Sequence, residues 1–298
     1  MDPSVRQLAE ALEPLSRGYV VVVTGAGISL ASGIPTFRGS DPGAVWKRDL
    51  TELATYRFFR QDPVESWRWY MTRFDMVLGA APNPAHLALA AIERWQLARG
   101  GRFLLVTQNI DTLHEAAGSR EMVKVHGTAD RVRCPRHGCV HGSPRGSLPR
   151  GDFDVAPFLA SPSLELVPRC PACGDVLRQH VLWFDEYYNE HEDYQWERVQ
   201  EAAATMSLGL FVGTSFAVGV TETFLQHGIF GKVPMLSIDP AGARVCYPGL
   251  EVLAAKAEVV LPAACRELGI DLAGAGGGRR HHEAETLTPG PSPKGRGE

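Results

Sequence analysis

Short apolar segments recur along the chain, and several of them end at a glycine or a polar motif. The clearest covers residues 19–23, where a tyrosine and four valines run into Thr24-Gly25. Fully apolar strands of this length, separated by helical segments, are typical of parallel sheets that helices cover on both faces. Comparable segments lie at 103–106, 123–125, 208–212, 233–238 and 259–260. The alternation predicts an α/β fold with a Rossmann-like, doubly wound parallel sheet.

Helical periodicity fills several of the intervals between these segments. Val5, Leu8 and Leu12 share one face of an amphipathic helix at the start of the chain. Further helices are predicted at 63–78, from about 84 to 97, and around 263–268.

Two segments interrupt the alternation of strands and helices. Residues 40–100 are mostly helical in pattern, and residues 129–175 are rich in proline, glycine, arginine and cysteine. We expect both insertions to form a smaller domain, which combines a helical module with a cysteine-rich module. The larger, Rossmann-like domain then comprises residues 1–39, 101–128 and 176–273.

The overall composition excludes several classes of protein. A net charge of −4 gives no sign of general nucleic-acid affinity, although a local basic groove stays open. The first residues carry too many charges for a signal peptide, and no apolar run approaches the ~18 residues that span a membrane. We therefore expect a cytoplasmic protein with no direct nucleic-acid partner and no membrane partner. Residues 274–298, rich in glycine, proline and charge, are predicted to be disordered.

Polar or glycine-rich motifs follow four of the predicted strands. They are Gly25-Ala26-Gly27, Gln108-Asn109-Ile110, His126-Gly127 and Gly213-Thr214-Ser215. Ligands of doubly wound sheets bind beyond the carboxyl ends of the strands, so we expect one shared cleft. The first glycine turn does not fit G-x-G-x-x-G, and such a turn also occurs without a ligand. Phe37 and Arg38 directly after it favour a loop that closes over a nucleotide.

Two of these motifs carry side chains that suit catalysis. Asp111 or Thr112 could simply cap a helix, but capping leaves Gln108 and Asn109 unexplained. His126 is a candidate general base, because an unperturbed imidazole titrates near neutral pH. Most histidines are not catalytic, so the position at a strand end is what distinguishes this one.

Four of the six cysteines form two pairs, Cys134 with Cys139 and Cys170 with Cys173. Paired cysteines in a cytosolic chain are more often metal ligands than disulfides. Four thiolates suit a tetrahedral structural zinc with no open position for catalysis. Because C-x4-C is the looser half, His137 or His141 could substitute as a ligand.

The combination of motifs resembles the sirtuin family of NAD-dependent protein deacylases. It consists of GAGIS-x-x-SGIP-x-FRG at 25–39, TQNID-x-LH at 107–114, HG at 126–127, VLWF-x-E at 181–186, GTS at 213–215 and the cysteine pairs. These motifs occur in the order and spacing of the family, and the resemblance covers about residues 5–270.

The resemblance implies that NAD is consumed as a co-substrate. Asn109 and His126 are the implied catalytic residues. The acyl-lysine oxygen would attack the nicotinamide ribose as nicotinamide leaves, and His126 would then deprotonate a ribose hydroxyl. The products would be free lysine, nicotinamide and O-acyl-ADP-ribose. The implied NAD-binding residues are Gly25, Ala26, Gly27, Phe37, Arg38, Gln108, Asn109, Ile110, Asp111, Gly213, Thr214, Ser215 and Ser237.

The substrate side of the cleft follows from the same resemblance. Val181, Trp183 and Phe184 would pair with the substrate backbone as an added strand. Tyr70 and Arg73 lie three apart on a predicted helix and resemble the pair with which class III sirtuins accept succinyl and malonyl lysine. Ala54 matches the small residue of that wider pocket. The alternative is an ordinary amphipathic helix with Arg73 in solvent.

Three positions depart from the family pattern. Asp185 replaces the usual glycine and would add a carboxylate beside the peptide groove. Val220 stands where proline is common, and Ser237 stands where asparagine is usual, which leaves the adenosine contacts less certain. Two other functions would use the same cleft: a mono-ADP-ribosyltransferase or NAD hydrolase, and a non-catalytic binder of NAD or ADP-ribose. The acyl-lysine protein substrate itself cannot be named from the sequence.

Overall fold

The computed structural model describes residues 2–36, 50–242 and 246–273. Its strands are β1 (Tyr19–Thr24), β2 (Arg102–Thr107), β3 (Met122–Lys124), β4 (Gly127–Arg133), β5 (Leu148–Pro149), β6 (Arg178–Val181), β7 (Leu208–Val212), β8 (Met235–Ile238) and β9 (Leu250–Leu253). Its α-helices are α1 (Pro3–Leu12), α2 (Leu50–Leu53), α3 (Tyr56–Gln61), α4 (Pro63–Leu78), α5 (Pro84–Ala98), α6 (Leu113–Ala117), α7 (Ala156–Ala160), α8 (Trp196–Thr205), α9 (Gly219–Gly231) and α10 (Ala257–Glu267). Short 3₁₀ helices cover Ala26–Ser32, Arg150–Asp152, Tyr188–Glu190 and Glu192–Tyr194.

Six parallel strands form the larger sheet in the order β3-β2-β1-β7-β8-β9. From β1 the chain builds outward through β2 and β3, and it then returns to the other side of β1 with β7. The strand order therefore reverses between β1 and β7, which is where an open α/β sheet offers a ligand crevice. The predicted doubly wound α/β fold is confirmed.

The valines of β1 explain how the large sheet is held between two helical layers. Successive side chains of a strand point to opposite faces, so Val20 and Val22 pack into one apolar core and Val21 and Val23 into the other. Helices α1, α5 and α10 contribute to the first core, and α8 and α9 to the second. All four valines are fully buried, and burying each one stabilises the fold by about 1.5–3 kcal/mol.

The smaller sheet is antiparallel, in the order β5-β4-β6, and it has a core of its own. Phe59 of α3 and Trp67 and Phe74 of α4 share this core with Trp183 and with the cysteines Cys134 and Cys170. The helical and cysteine-rich insertions thus meet in one apolar cluster.

Two elements differ from the division that the sequence predicts. Helix α5 falls within residues 40–100, yet Ala88, Leu89 and Ile92 pack into the core of the large sheet. Strand β6 falls within residues 176–273, yet it pairs with β4 in the smaller sheet. Periodicity predicts that a segment is a helix or a strand, but it does not identify the partner against which that segment packs.

The predicted strand at 259–260 is wrong. Both valines lie in α10, where Val260, Leu261, Ala264 and Cys265 are buried at helical spacing and Val259 is exposed. The last strand of the sheet is β9, whose first three residues are not fully buried, so its apolar pattern is weak.

Among the described helices, none combines the length and apolar character that crossing a bilayer requires. Phe37, Arg38 and residues 274–298 lie outside the described residues.

Candidate functional site

The glycine turn after β1 lies directly against the turn after β7. The backbone N–H of Gly27 donates to the carbonyl oxygen of Gly213 at 2.8 Å, and the N–H of Gly25 donates to Val212 at 3.0 Å. A Cβ on Gly27 would stand 2.7 Å from the Cα of Gly213, and Gly213 itself has a φ of +61°. Glycine is therefore required on both sides, and the two loops together form the floor of the crevice.

A single cavity of about 1260 Å³ opens at this crevice and runs toward the smaller sheet. The sequence-predicted site residues that line it come from both sheets and from α4. They are Gly25, Ala26, Gly27, Ala54, Tyr70, Arg73, Gln108, Asn109, Ile110, Asp111, His126, Val181, Trp183, Phe184, Gly213, Thr214, Ser215 and Ser237. The prediction of one shared cleft therefore agrees with the described residues, while Phe37 and Arg38 lie outside them.

Asn109 and Asp111 are held by the glycine turn and by Ser29, which follows it. The side-chain amide of Asn109 donates to the Gly25 carbonyl and to Ser29 Oγ, both at 3.1 Å. Ser29 Oγ donates in turn to Asp111 Oδ2 at 2.9 Å, and the backbone N–H of Leu113 donates to Asp111 Oδ1. Because all three side chains are buried, this network fixes their orientation at the cavity wall.

Asp111 thus combines the two alternatives that its sequence position left open. Its bond to Leu113 N satisfies the first backbone N–H of α6, while the N-cap residue itself, Thr112, makes no side-chain cap bond. Its other oxygen belongs to the Ser29 network at the cavity. The motif is therefore a helix start and part of the cavity wall.

His126 projects from the end of β3 with one nitrogen already engaged. Its Nδ1 lies 2.8 Å from the carbonyl oxygen of Gln108, which can only accept, so Nδ1 carries the proton. The Nε2 atom is then the one with a free lone pair. Burial lowers the pKa of His126 to about 4, and the bond to Gln108 only partly offsets this effect. The ring is therefore neutral at neutral pH, which is the state a general base needs.

Tyr70 and Arg73 of α4 both reach the cavity, but they differ in burial. Tyr70 is buried, and its hydroxyl accepts a 2.6 Å bond from the indole Nε1 of Trp183. Burial raises the pKa of Tyr70, so the phenol keeps its proton. Arg73 is half-buried; Nη1 donates to the Trp69 carbonyl oxygen at 2.6 Å, and its guanidinium lies 4.2 Å from the Trp69 ring centroid. The alternative of Arg73 extended into solvent is not what the structure shows.

The segment after β6 is anchored residue by residue. Trp183 bonds Tyr70, and the backbone N–H of Phe184 donates to the Ala54 carbonyl at 3.1 Å. The Glu186 carboxylate accepts a hydrogen bond from Trp183 N and forms a buried ion pair with Arg178. It forms a second buried ion pair with Arg133, whose Nη2 lies 3.1 Å from Glu186 Oε1. Burial alone would raise the pKa of Glu186, but the two guanidiniums hold it below its ordinary value. This segment therefore has a fixed backbone beside the cavity.

The departure at Asp185 has a structural reason. Its carboxylate accepts the backbone N–H groups of Tyr56 at 2.7 Å and Arg57 at 3.1 Å, at the start of α3. The expectation was an added carboxylate beside the peptide groove. Both carboxylate oxygens of Asp185 instead accept hydrogen bonds from the start of α3, so residues 184–185 are linked to the segment that carries Ala54.

Of the other two departures, one lies at the cavity and one lies in a hydrophobic core. Ser237 is buried near the end of β8 and lines the cavity. Val220 is fully buried in the second core, in the first turn of α9.

The four paired cysteines come together as free thiols. Their sulfur atoms lie within 4.8 Å of one another, with 3.5 Å between Cys134 and Cys173 and 3.7 Å between Cys139 and Cys170. Tetrahedral zinc with Zn–S bonds near 2.3 Å places its sulfurs about 3.8 Å apart, so the cluster fits a structural zinc. The group contains neither His137 nor His141, both of which the structure describes.

Ser29, which bonds Asn109, and Tyr188, which lies beside His126, were not singled out from the sequence. Ser29 could have been found, because it directly follows the glycine turn in GAGIS. Tyr188 lines the cavity beside His126, but it stands in an irregular segment with no pattern that would predict this position. Only the tertiary structure brings it to the site.

Comparison with known proteins adds the family to this geometry. A family model described as the Sir2 family matches residues 25–220. The chain belongs to the Sir2, or sirtuin, family. This Sir2-family chain is 43% identical over 238 residues to the NAD-dependent protein deacylase of Thermus thermophilus, covering 79% of this chain and 85% of that protein.

Two further relatives span most of the chain. The mitochondrial NAD-dependent protein deacylase sirtuin-5 of Danio rerio is 38% identical over 241 residues, 77% of each chain. A crystal structure of a Sir2 homologue in complex with NAD is 31% identical, with a TM-score of 0.69, and the match covers 89% of this chain and 93% of that one. Similarity of this extent shows a shared fold as well as shared motifs.

Proposed function

We propose that this chain is an NAD-dependent protein-lysine deacylase that releases nicotinamide and O-acyl-ADP-ribose. The observation that carries the proposal is the single cavity, which joins the glycine turn, Asn109, His126 and the anchored strand segment 181–184 in a Sir2-family chain. NAD enters as a co-substrate, in agreement with the NAD dependence that the names of the relatives state. The cysteine cluster fits a zinc that holds the smaller module together and takes no part in the reaction.

Each wall of the cavity has one task in this proposal. The backbone floor at Gly25 and Gly213 receives the pyrophosphate, because its glycines allow close approach. Asn109, fixed by Gly25 and Ser29, positions the nicotinamide ribose. His126, neutral and with Nε2 free to accept, removes the proton of a ribose hydroxyl after nicotinamide has left.

For the acyl group we propose a preference for a distal carboxylate, as in succinyl or malonyl lysine. The half-buried Arg73 guanidinium lines the cavity, and a guanidinium can bind a carboxylate through two hydrogen bonds. The Tyr70 hydroxyl accepts from Trp183 and retains its own proton for donation. Turnover of acetyl, malonyl and succinyl versions of one peptide tests this preference. A cytoplasmic location rests on the composition of the sequence.

The deacylase proposal is tested by the dependence of nicotinamide release on the acyl-peptide. A deacylase releases nicotinamide in proportion to the deacylated peptide that it forms, and His126→Ala abolishes this deacylation. Release that is the same without the peptide would support an NAD hydrolase instead. Transfer of ADP-ribose to a protein without peptide deacylation would support a transferase. Binding of NAD without any turnover would support a non-catalytic binder.

A further inference from the structure

Tyr188 contacts the catalytic side of His126 and has no role in the function proposed above. Its hydroxyl oxygen lies 3.4 Å from His126 Nε2, and the two rings are nearly parallel, at 16° with 5.9 Å between centroids. The opposite neighbour of Tyr188 is Trp196, whose ring lies 4.3 Å away at 13°. Stacking on Trp196 and a hydrogen bond with the backbone of Val220 hold the phenol in this position.

His126 needs such a neighbour because its reaction creates a charge on a partly buried ring. When Nε2 takes a proton from the ribose hydroxyl, the ring becomes an imidazolium with N–H groups on both nitrogens. Nδ1–H already has the Gln108 carbonyl. Among the described residues no carboxylate forms an ion pair with His126, and burial disfavours its charged form. The hydroxyl oxygen of Tyr188, 3.4 Å from Nε2, can accept from Nε2–H.

We infer that the Tyr188 hydroxyl oxygen accepts the hydrogen bond of His126 Nε2–H after proton transfer, and that Tyr188 is a positioning residue for the base. The inference rests on the proposed role of His126. The proton stays on Nε2, and Tyr188 keeps its own, since burial raises the pKa of the phenol. No bond other than the hydrogen bond is formed.

The observed separation is consistent with this role. A distance of 3.4 Å is long for a hydrogen bond to a neutral ring, and bonds to a charged donor shorten to about 2.7–2.9 Å. The interaction therefore gains most of its strength only when the ring is charged. It favours the proton-abstraction step rather than the binding of either substrate.

The test compares two reactions that share their first step. Exchange of labelled nicotinamide into NAD, in the presence of acyl-peptide, reports the departure of nicotinamide, which precedes the action of His126. Deacylation reports the whole sequence. Tyr188→Phe removes only the hydroxyl and should lower the deacylation kcat about tenfold, as for one hydrogen bond to a charged group, while exchange is maintained. The matched control is Tyr187→Phe, since Tyr187 is 72% exposed and does not line the cavity.

Tyr188→Leu separates the hydroxyl from the ring. A loss in Tyr188→Phe that approaches the loss in Tyr188→Leu supports the inference. Wild-type deacylation in Tyr188→Phe with a loss in Tyr188→Leu would overturn it, because the ring would then act by packing alone. Equal loss of exchange and deacylation in Tyr188→Phe would also overturn it.

His126→Ala, measured in parallel, distinguishes this inference from the proposed function. If His126→Ala retains deacylation, the assignment of the base fails and the inference fails with it. If His126→Ala loses deacylation and Tyr188→Phe does not, only the inference about Tyr188 fails.

Discussion

Arg73→Met is expected to change the acyl preference of the enzyme rather than its overall activity. The guanidinium of Arg73 lines the cavity, while Nη1 is engaged by the Trp69 carbonyl and by Thr72 Oγ1 at 3.1 Å. These bonds hold the side chain against α4, so a distal carboxylate meets an oriented cation. Methionine keeps much of the side-chain volume but removes the charge.

The magnitude follows from the number of charge-assisted bonds that are lost. Removing one hydrogen bond to a charged group costs roughly 1.5–3 kcal/mol, which corresponds to about ten- to a hundredfold. An acetyl group has no distal carboxylate and does not lose this bond. We therefore expect kcat/KM for succinyl-lysine to fall by that factor, and kcat/KM for acetyl-lysine to stay nearly constant or to rise.

The assay is the ratio of kcat/KM values for succinyl and acetyl versions of one peptide. Arg68→Met is the matched control, because Arg68 lies on the same helix with its side chain 58% exposed and paired with Glu65. It should leave the ratio as in the wild type. An equal fall on both substrates in Arg73→Met would contradict the acidic-acyl proposal and indicate a structural role, for example through the contact with Trp69.

Three further outcomes follow from the structure. Because burial lowers the pKa of His126 to about 4, kcat/KM should remain constant as the pH falls through 6.5 and decline only near pH 4. Circular dichroism should show that the protein is still folded where kcat/KM declines. A decline of kcat/KM centred at pH 6.5 would contradict this prediction. Elemental analysis should find about one zinc per chain. The double variant Cys170→Ala/Cys173→Ala should lose both the metal and the fold of the smaller module. A metal-free protein that is folded and active would refute the zinc site. Asp185→Gly should raise the KM for the acyl-peptide several-fold and leave the KM for NAD unchanged, because it removes the bonds that link residues 184–185 to α3. The control is Asp154→Gly, which removes a comparable bond to Ala156 N at the start of α7 and should change neither KM.

The sequence was a good guide wherever a local pattern decides a local structure. The valines after Tyr19 are buried alternately on the two faces of the sheet, and the helix predicted at 63–78 is α4 with the same limits. Spacing also placed the four cysteines in one cluster. It failed at 259–260, because two adjacent valines fit a short strand and a buried helix equally well.

Long-range partners were beyond the reach of the sequence. Helix α5 was readable as a helix, but only the folded chain shows that it packs on the large sheet. Asp185 was noticed as a departure, yet its bonds to Tyr56 N and Arg57 N join residues about 130 positions apart. No periodicity links such positions.

The sequence by itself determined five of the six strands of the larger sheet, the four motifs at its carboxyl edge and the two cysteine pairs, because each depends on residues close together in the chain. The tertiary structure decided the state of the site. It fixed the proton of His126 on Nδ1 through the Gln108 carbonyl, buried the ring enough to lower its pKa, and brought Tyr188 to its free nitrogen. Tautomer, desolvation and contact depend on which atoms surround a side chain, and that is known only once the chain has folded.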